Sequence, residues 1–188
     1  LTGEMAGVRA CVFGLRYNPH TYKELPTPTL LCGGLKMTEP APDANVSLRK
    51  ITGKTVRAIC NLNVSDSQKA LVSPNTVSIA EAYFTKYAWF RAIYADDTPV
   101  GFVMLYENPK RGAYGLWRFM IDAKYQGKGY GRKALDLVIK RVRKRPKAKA
   151  LTLHVVRAEG GAEALYQKFG FDFTGKIEEG QHVMKLDL

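Results

Sequence analysis

The sequence predicts an α/β (α+β) fold: one domain, with a mixed central sheet of about seven strands flanked by about four helices. Three observations predict it. The 188 residues fit one domain, and an apolar share of 46% suffices for a sizeable core. Stretches of alternating or continuous apolar character recur between turn signals. Segments of helical period interrupt them, giving the order β-α-α-β-β-β-α-β-α-β-β.

Each element has its own signal. Residues 1–44 carry Pro19, Pro26, Pro28, Pro40 and Pro42 and no sustained period, so they read as an extension without folded structure. Met37 reads as a natural start, and the domain spans 45–188. Residues 46–51 alternate apolar and polar, as a half-buried strand does. Residues 54–62 read as a short helix. Ser65 caps a second helical start, with Gln68 reaching back to it. Asn75 or Ser78 caps a helix running to about Lys86. Residues 89–94 and 100–106 form a hairpin around the turn Asp96-Asp97-Thr98-Pro99. Residues 114–122 are nearly continuously apolar except at Arg118, as in a strand near the middle of a sheet. Ala134, Leu135, Val138, Ile139 and Val142 recur at helical spacing over 132–143, and Pro146 ends that helix. Residues 150–156 are a strand, so the strand–helix–strand unit 114–156 should supply a parallel pair. Residues 161–169 form a helix stopped by Gly170. Residues 171–177 and 182–188 are two last strands around Glu178-Glu179-Gly180.

Charge narrows the partners. Lys plus Arg is 29 and Asp plus Glu is 17, a net +12. Residues 1–44 hold four of each sign, so the excess lies in 45–188. Between Lys124 and Lys149 stand eleven basic residues and one acid, Asp136. Such a cluster suits a phosphorylated cofactor or nucleic acid, or is a solvated helix face. Cys11, Cys32 and Cys60 are odd in number and far apart, and the three histidines are scattered. Neither a disulfide framework nor a metal site is expected, and a reducing cytoplasm is. No apolar run approaches the roughly 18–20 residues of a membrane span, and no signal-peptide pattern occurs, so no membrane partner is expected.

The chemistry concentrates at Gln126-Gly127-Lys128-Gly129-Tyr130-Gly131, which follows a strand and opens a helix. Glycine lets the backbone approach a ligand closely. The first amides of a helix lack internal partners, and with the helix dipole they bind phosphate. Lys128 and Arg132 add positive charge at the same place. The spacing fits neither a dinucleotide-binding fingerprint nor a P-loop, and a plain tight turn remains the alternative.

Arg118-Phe119-Met120-Ile121 followed by Tyr125 to Gly131 resembles the Gln/Arg-x-x-Gly-x-Gly/Ala motif of the GNAT superfamily of N-acetyltransferases. The element order matches that fold, and residues 162–171 resemble the family's last helix. With Val64, Val72, Pro74 and Asn75, residues 46–188 are similar to bacterial spermine/spermidine (diamine) acetyltransferases. The resemblance implies acetyl-CoA as cosubstrate. Backbone groups of Met120 and Ile121 would pair with the pantetheine arm like an added strand. Gln126, Gly127, Lys128, Gly129, Tyr130 and Gly131 would hold the pyrophosphate, with Lys128 and Arg132 near the phosphates. Tyr166 matches a tyrosine that acts as general acid. Glu159 departs from an asparagine frequent at its position, and a carboxylate cannot donate a hydrogen bond there.

The expected reaction is direct attack of a primary amine on acetyl-CoA, with no metal and no covalent enzyme intermediate. Attack needs the neutral amine, and a backbone amide near Met120 can stabilise the oxyanion. A polyamine is the favoured acceptor, although a +12 chain repels a polycation unless acids cluster at its pocket. Glu81 and Glu107 are the carboxylates proposed to attract it. Trp89, Phe90, Trp117, Phe119, Tyr83 and Phe84 could wall a cation site, although core packing is the commoner use of such residues. The alternatives are acetylation of a protein N-terminus or lysine of the ribosomal-protein type, nucleic-acid binding through 141–149, and a cofactor binder without activity. An exposed final strand leaves a homodimer open.

Overall fold

The computed structural model describes residues 39–158 and 161–188. Met37, Cys11, Cys32 and Glu159 lie outside the described residues, as does most of the expected extension. Its described part corrects the boundary at 45, because residues 39–44 pack on the domain. Pro40 and Ala44 are buried. The buried Tyr130 hydroxyl donates to the carbonyls of Pro40 (2.6 Å) and Ala41 (2.9 Å). Lys133 Nζ donates to those of Pro42 and Ala44, each at 3.0 Å. The segment that its prolines marked as irregular is thus held by its backbone carbonyls to the side chains of Tyr130 and Lys133.

Seven strands form one sheet: β1 Val46–Arg49, β2 Ala88–Ala95, β3 Thr98–Asn108, β4 Ala113–Ile121, β5 Ala150–Val155, β6 Asp172–Glu178 and β7 Gln181–Asp187. Their order is β1-β2-β3-β4-β5-β7-β6, antiparallel except for the parallel pair β4–β5. The expected central strand is therefore the fourth of seven. The four α-helices are α1 Val56–Cys60, α2 Asn75–Tyr83, α3 Tyr130–Arg143 and α4 Glu163–Lys168, with 3-10 turns at Asp66–Gln68 and Ala123–Tyr125.

Sheet alternation gives each helix pair its own face. Ala134, Leu135, Val138, Ile139 and Val142 of α3, with Tyr166 of α4, pack on Ile93, Val103, Leu105, Leu116, Leu151 and Leu153. Each large apolar side chain buried there contributes about 1.5–3 kcal/mol. The opposite face carries Ile59 of α1 with Phe102, Met104 and Met120, and Ile79 of α2 packs against them.

Two expected caps take other roles. Ser65 caps nothing, and its Oγ meets Ser67 Oγ at 3.1 Å. Asn75 Nδ2 donates to Ile59 O at 2.8 Å, tying α2 to α1. The β6–β7 hairpin closes in a two-residue turn, with Glu178 opposite Gln181 and positive φ at Glu179 (49°) and Gly180 (77°). A glutamate in that left-handed region costs about 1–2 kcal/mol.

Candidate active site

The site begins with an irregularity in β4. The β3–β4 register slips between Met104 and Leu105, so Trp117 is an extra residue on β4. A bulge of this kind bends its strand. Beyond it β4 and β5 diverge, pairing only at Gly115–Thr152 and Leu116–Leu153 although both strands continue. The fork opens a cleft of about 1140 Å³. That is at or above the roughly 300–1,000 Å³ of ordinary small-ligand sites, enough for a large cofactor beside an acceptor.

Strand parity decides which peptide groups face the fork. Phe102 pairs with Met120, and the Met120 carbonyl lies against the place a Cβ on Gly101 would take. The Asp122 N–H donates to Val100 O on the same side. Met120 thus turns its backbone toward β3, and alternation leaves Phe119 and Ile121 facing the gap. This corrects the backbone role expected of Met120, whose side chain is buried against α1 and α2 although the residue lines the cleft; Ile121 lies on the fork edge. The Ile121 carbonyl accepts from Gln126 Nε2 at 2.9 Å, leaving its N–H on the fork edge.

The glycine turn stands at the end of this edge. Gly127 (φ 76°) and Gly129 (φ 83°) are left-handed, and a Cβ on either would stand in open space. Gly129 is the N-cap of α3 and has no side chain to cap the first amides, and no acid occupies the first turn. Gly127, Gly129, Gly131 and Arg132 line the cleft. An anion with its own oxygens fits this cradle. Gln126 braces the turn, since its Nε2 also donates to Gln68 Oε1 at 2.8 Å. Tyr130 contributes only backbone, its ring being buried in the core. Lys128 is turned away from the cleft: its Nζ meets Glu39 Oε2 at 2.7 Å, and this pairing holds the Glu39 carboxyl below its usual range.

Tyr166 lines the cleft with 7% of its surface exposed and its ring edge-on to Phe171. Among the described residues its hydroxyl has no hydrogen-bond partner, yet it is not sealed from solvent. Burial pushes its titration above the ordinary tyrosine range. The phenol therefore stays protonated and keeps a proton to give.

The two expected amine-binding carboxylates separate. Glu81 does not itself line the cleft: its Oε2 meets Nη2 of Arg118, which does, at 3.1 Å, so its charge is matched and its substrate role is corrected. Arg118 Nε is enclosed without a partner. Glu107 does not line the cleft, which corrects the substrate role given to it. It is buried and takes Arg141 through both oxygens (2.8 and 3.1 Å) and Arg145 at 3.3 Å. Arg141 and Arg91 stack on Trp89 beside it, at 3.8 and 4.7 Å from the ring centre. Two cations of the 141–149 segment thus fasten α3 to β3. Of the other aromatics, Trp117 and Phe119 line the cleft and Phe90 packs against Phe102, while Tyr83 (85%) and Phe84 (84%) are exposed at the end of α2. Cys60 is half-buried on α1.

The sequence reading missed one wall. Leu151, Leu153 and Val155 face the core, so His154 points to the other face, into the cleft. Its Nε2 lies 3.1 Å from Glu178 Oε2, and Glu179 lines the cleft beside it. The alternation of β5 was a usable signal for His154. Nothing local shows that the turn at 178–180 reaches the cleft, because that depends on β7 lying between β5 and β6.

A sheet forked between two parallel strands, with an anion cradle at one tip and a buried, unpartnered phenol beside it, is built to hold a long phosphorylated donor. Residues 58–171 match the acetyltransferase (GNAT) family, and the chain belongs to that family. It is an acetyl-CoA-dependent N-acetyltransferase. Among its relatives, the spermine/spermidine N(1)-acetyltransferase of Bacillus subtilis (strain 168) is 32% identical over 151 residues, covering 77% of this chain and 99% of that protein. Solved structures with the same fold include an acetyltransferase from Thermus thermophilus (TM-score 0.62, 19% identity, 77% of this chain and 97% of that one). Another is the PaiA N-acetyltransferase from Thermoplasma acidophilum in complex with coenzyme A (TM-score 0.59, 17% identity, 77% and 99%).

Proposed function

We propose that this enzyme acetylates a primary amine by direct attack within a ternary complex, and that its favoured acceptor is a polyamine. The observation that carries the acceptor is the 32% identity, over nearly the whole length of that protein, to a spermine/spermidine acetyltransferase.

Bound acetyl-CoA supplies an acetyl group on a thioester, activated toward a neutral amine. The chain contributes position, charge and one proton. Amides of the turn from Gly127 to Arg132 would hold the pyrophosphate, with the Arg132 side chain alongside. The Phe119 and Ile121 edge would take the pantetheine arm as an added strand. An N–H on that edge can donate to the thioester carbonyl as negative charge builds there. Only about 0.1% of a free alkyl amine is neutral at pH 7.4, so its proton must first leave, through water in the open cleft.

Tyr166 is the proton donor to the departing sulfur. In water a phenol near pKa 10 is a poor acid toward a thiolate whose thiol is near 8.5. Burial that raises the Tyr166 titration disfavours a thiolate in the same place as well, so the two shifts offset and the placement of the hydroxyl at the sulfur decides the transfer.

Acetyl-CoA consumption measured with spermidine, simple amines and acceptor peptides tests the reading. Saturable acetylation of spermidine is expected. Turnover confined to peptide N-termini or lysines would replace the polyamine with a protein acceptor.

A further inference from the structure

We propose that the recess between α3 and the open end of the β2–β3 hairpin binds a phosphoryl dianion, held by Lys86, Arg141 and Arg145. The site is separate from acetyl transfer, since no described residue lines both this recess and the cleft. Arg141 stands eleven residues along α3 from Tyr130, about 16 Å from the glycine turn.

Charge is the first observation. In a recess of about 390 Å³, Lys86, Arg141 and Arg145 face one carboxylate, Glu107, a surplus of two positive charges. Arg91 adds a fourth cation on the Trp89 ring. Glu107 gives both its oxygens to Arg141 and Arg145. Lys86 has no ion-pair partner among the described residues, and its ammonium lies 5.0 Å from the centre of the Tyr87 ring. Burial, and then the neighbouring Arg141 charge, hold Arg91 below the usual guanidinium range. One carboxylate therefore does not balance this group. The second observation is a hydrogen bond left unmade. Arg145 meets Glu107 through Nη2 at 3.3 Å, while its Nε is enclosed without a partner. Enclosed donors are normally satisfied. With 36% of its side chain exposed, Arg145 has room to turn an Nε–Nη fork onto an anion in the recess.

The arrangement selects the ligand's class. A guanidinium fork pairs with two oxygens of a carboxylate or of a phosphoryl group. A surplus of two matches the dianion of free phosphate or of a phosphate monoester, which a carboxylate does not supply. A nucleic-acid backbone carries only one charge per phosphate. The volume falls in the range of small-ligand sites, and Tyr87 and Trp89 wall it on the β2 side.

The test is calorimetry on protein saturated with coenzyme A, so that the glycine turn is already filled. The titrants are inorganic phosphate, phenyl phosphate, acetate and a single-stranded RNA oligonucleotide at matched ionic strength. Phosphate should bind at one site, and acetate more weakly for want of the second charge. Lys86→Gln/Arg145→Gln should weaken phosphate about 5- to 20-fold, the worth of two partly exposed ion pairs, and leave kcat/KM for acetyl transfer unchanged. Arg145→Lys keeps the charge without the fork, so its affinity should fall between wild type and the double variant. Phosphate should also raise Tm in wild type more than in the double variant. Phenyl phosphate that binds more tightly than phosphate identifies a monoester as the ligand, and equal affinity identifies free phosphate. Wild type that takes up no phosphate, acetate that binds as well as phosphate, or phosphate affinity that the double variant keeps overturns the proposal. RNA that binds where phosphate does not replaces it with a nucleic-acid surface.

Discussion

Replacing Gly129 by alanine asks whether the turn binds a diphosphate or only bends the chain. Gly129 has φ 83°, and no atom lies within 4 Å of a Cβ built there. The left-handed backbone costs a non-glycine residue about 1–2 kcal/mol, with no clash to add to it. For a domain of this size that is a fall of about 3–8 °C in Tm. The new methyl would occupy the open side of the cradle. If the diphosphate seats there, coenzyme A affinity should drop at least about tenfold, or roughly 1.4 kcal/mol. Gly131→Ala is the companion variant. Gly131 has ordinary helical φ, and its Cβ would meet Ile121 Cγ1 at 3.5 Å, a normal contact. Alanine there should raise stability by about 0.5–1 kcal/mol and leave coenzyme A binding nearly unchanged. Calorimetry with coenzyme A and thermal unfolding on both variants give the answer. A Gly129→Ala protein that is less stable yet binds coenzyme A like wild type would refute the cradle.

Four other outcomes are expected. Tyr166→Phe should lower kcat about 100-fold or more, the usual worth of a general acid, with coenzyme A affinity nearly intact by calorimetry. Burial raises the Tyr166 titration, so the unfolded chain releases that proton above about pH 10 while the folded chain keeps it. Stability from this group is therefore complete below pH 10 and lost as pH rises beyond it. Urea midpoints at pH 9 and 11 should differ less in Tyr166→Phe than in wild type. Glu107→Gln should cost about 2–3 kcal/mol, discounted for the partial exposure of Arg141 and Arg145, while kcat/KM at 25 °C holds because Glu107 lies outside the cleft. Glu39→Gln frees Lys128, so coenzyme A affinity should rise about two- to threefold at low salt and the gain should vanish at high salt.

Periodicity made α3 legible, because its five core residues repeat along one face and Pro146 stops the pattern. The parallel β4–β5 pair followed from the strand–helix–strand unit around it. What stayed hidden depends on partners distant in sequence. Gln68 looked like half of a local cap, yet its oxygen serves Gln126, 58 residues away. Glu107 looked like an exposed acid at a strand end until α3 laid Arg141 and Arg145 across it. The backbone direction of Met120 required the bulge at Trp117, which shifts the pleat by one residue. Residues 39–44 looked unstructured because their hold on the domain comes from side chains of α3.

Two rungs of peptide pairing between β4 and β5 make the sheet one ladder by topology and two leaves by mechanics. Helix α3, spanning both leaves, is the hinge-pin that keeps them aligned. A donor molecule lying in the gap would weld the leaves, and its binding energy would add directly to the folding energy, about 2.7 kcal/mol at a hundredfold excess over Kd. Amide hydrogens along Phe119 and Ile121 should then exchange quickly in the bare protein and slowly in the charged one. The lifetime of this enzyme would follow the supply of its own cosubstrate, so a cell short of acetyl-CoA would hold less of it.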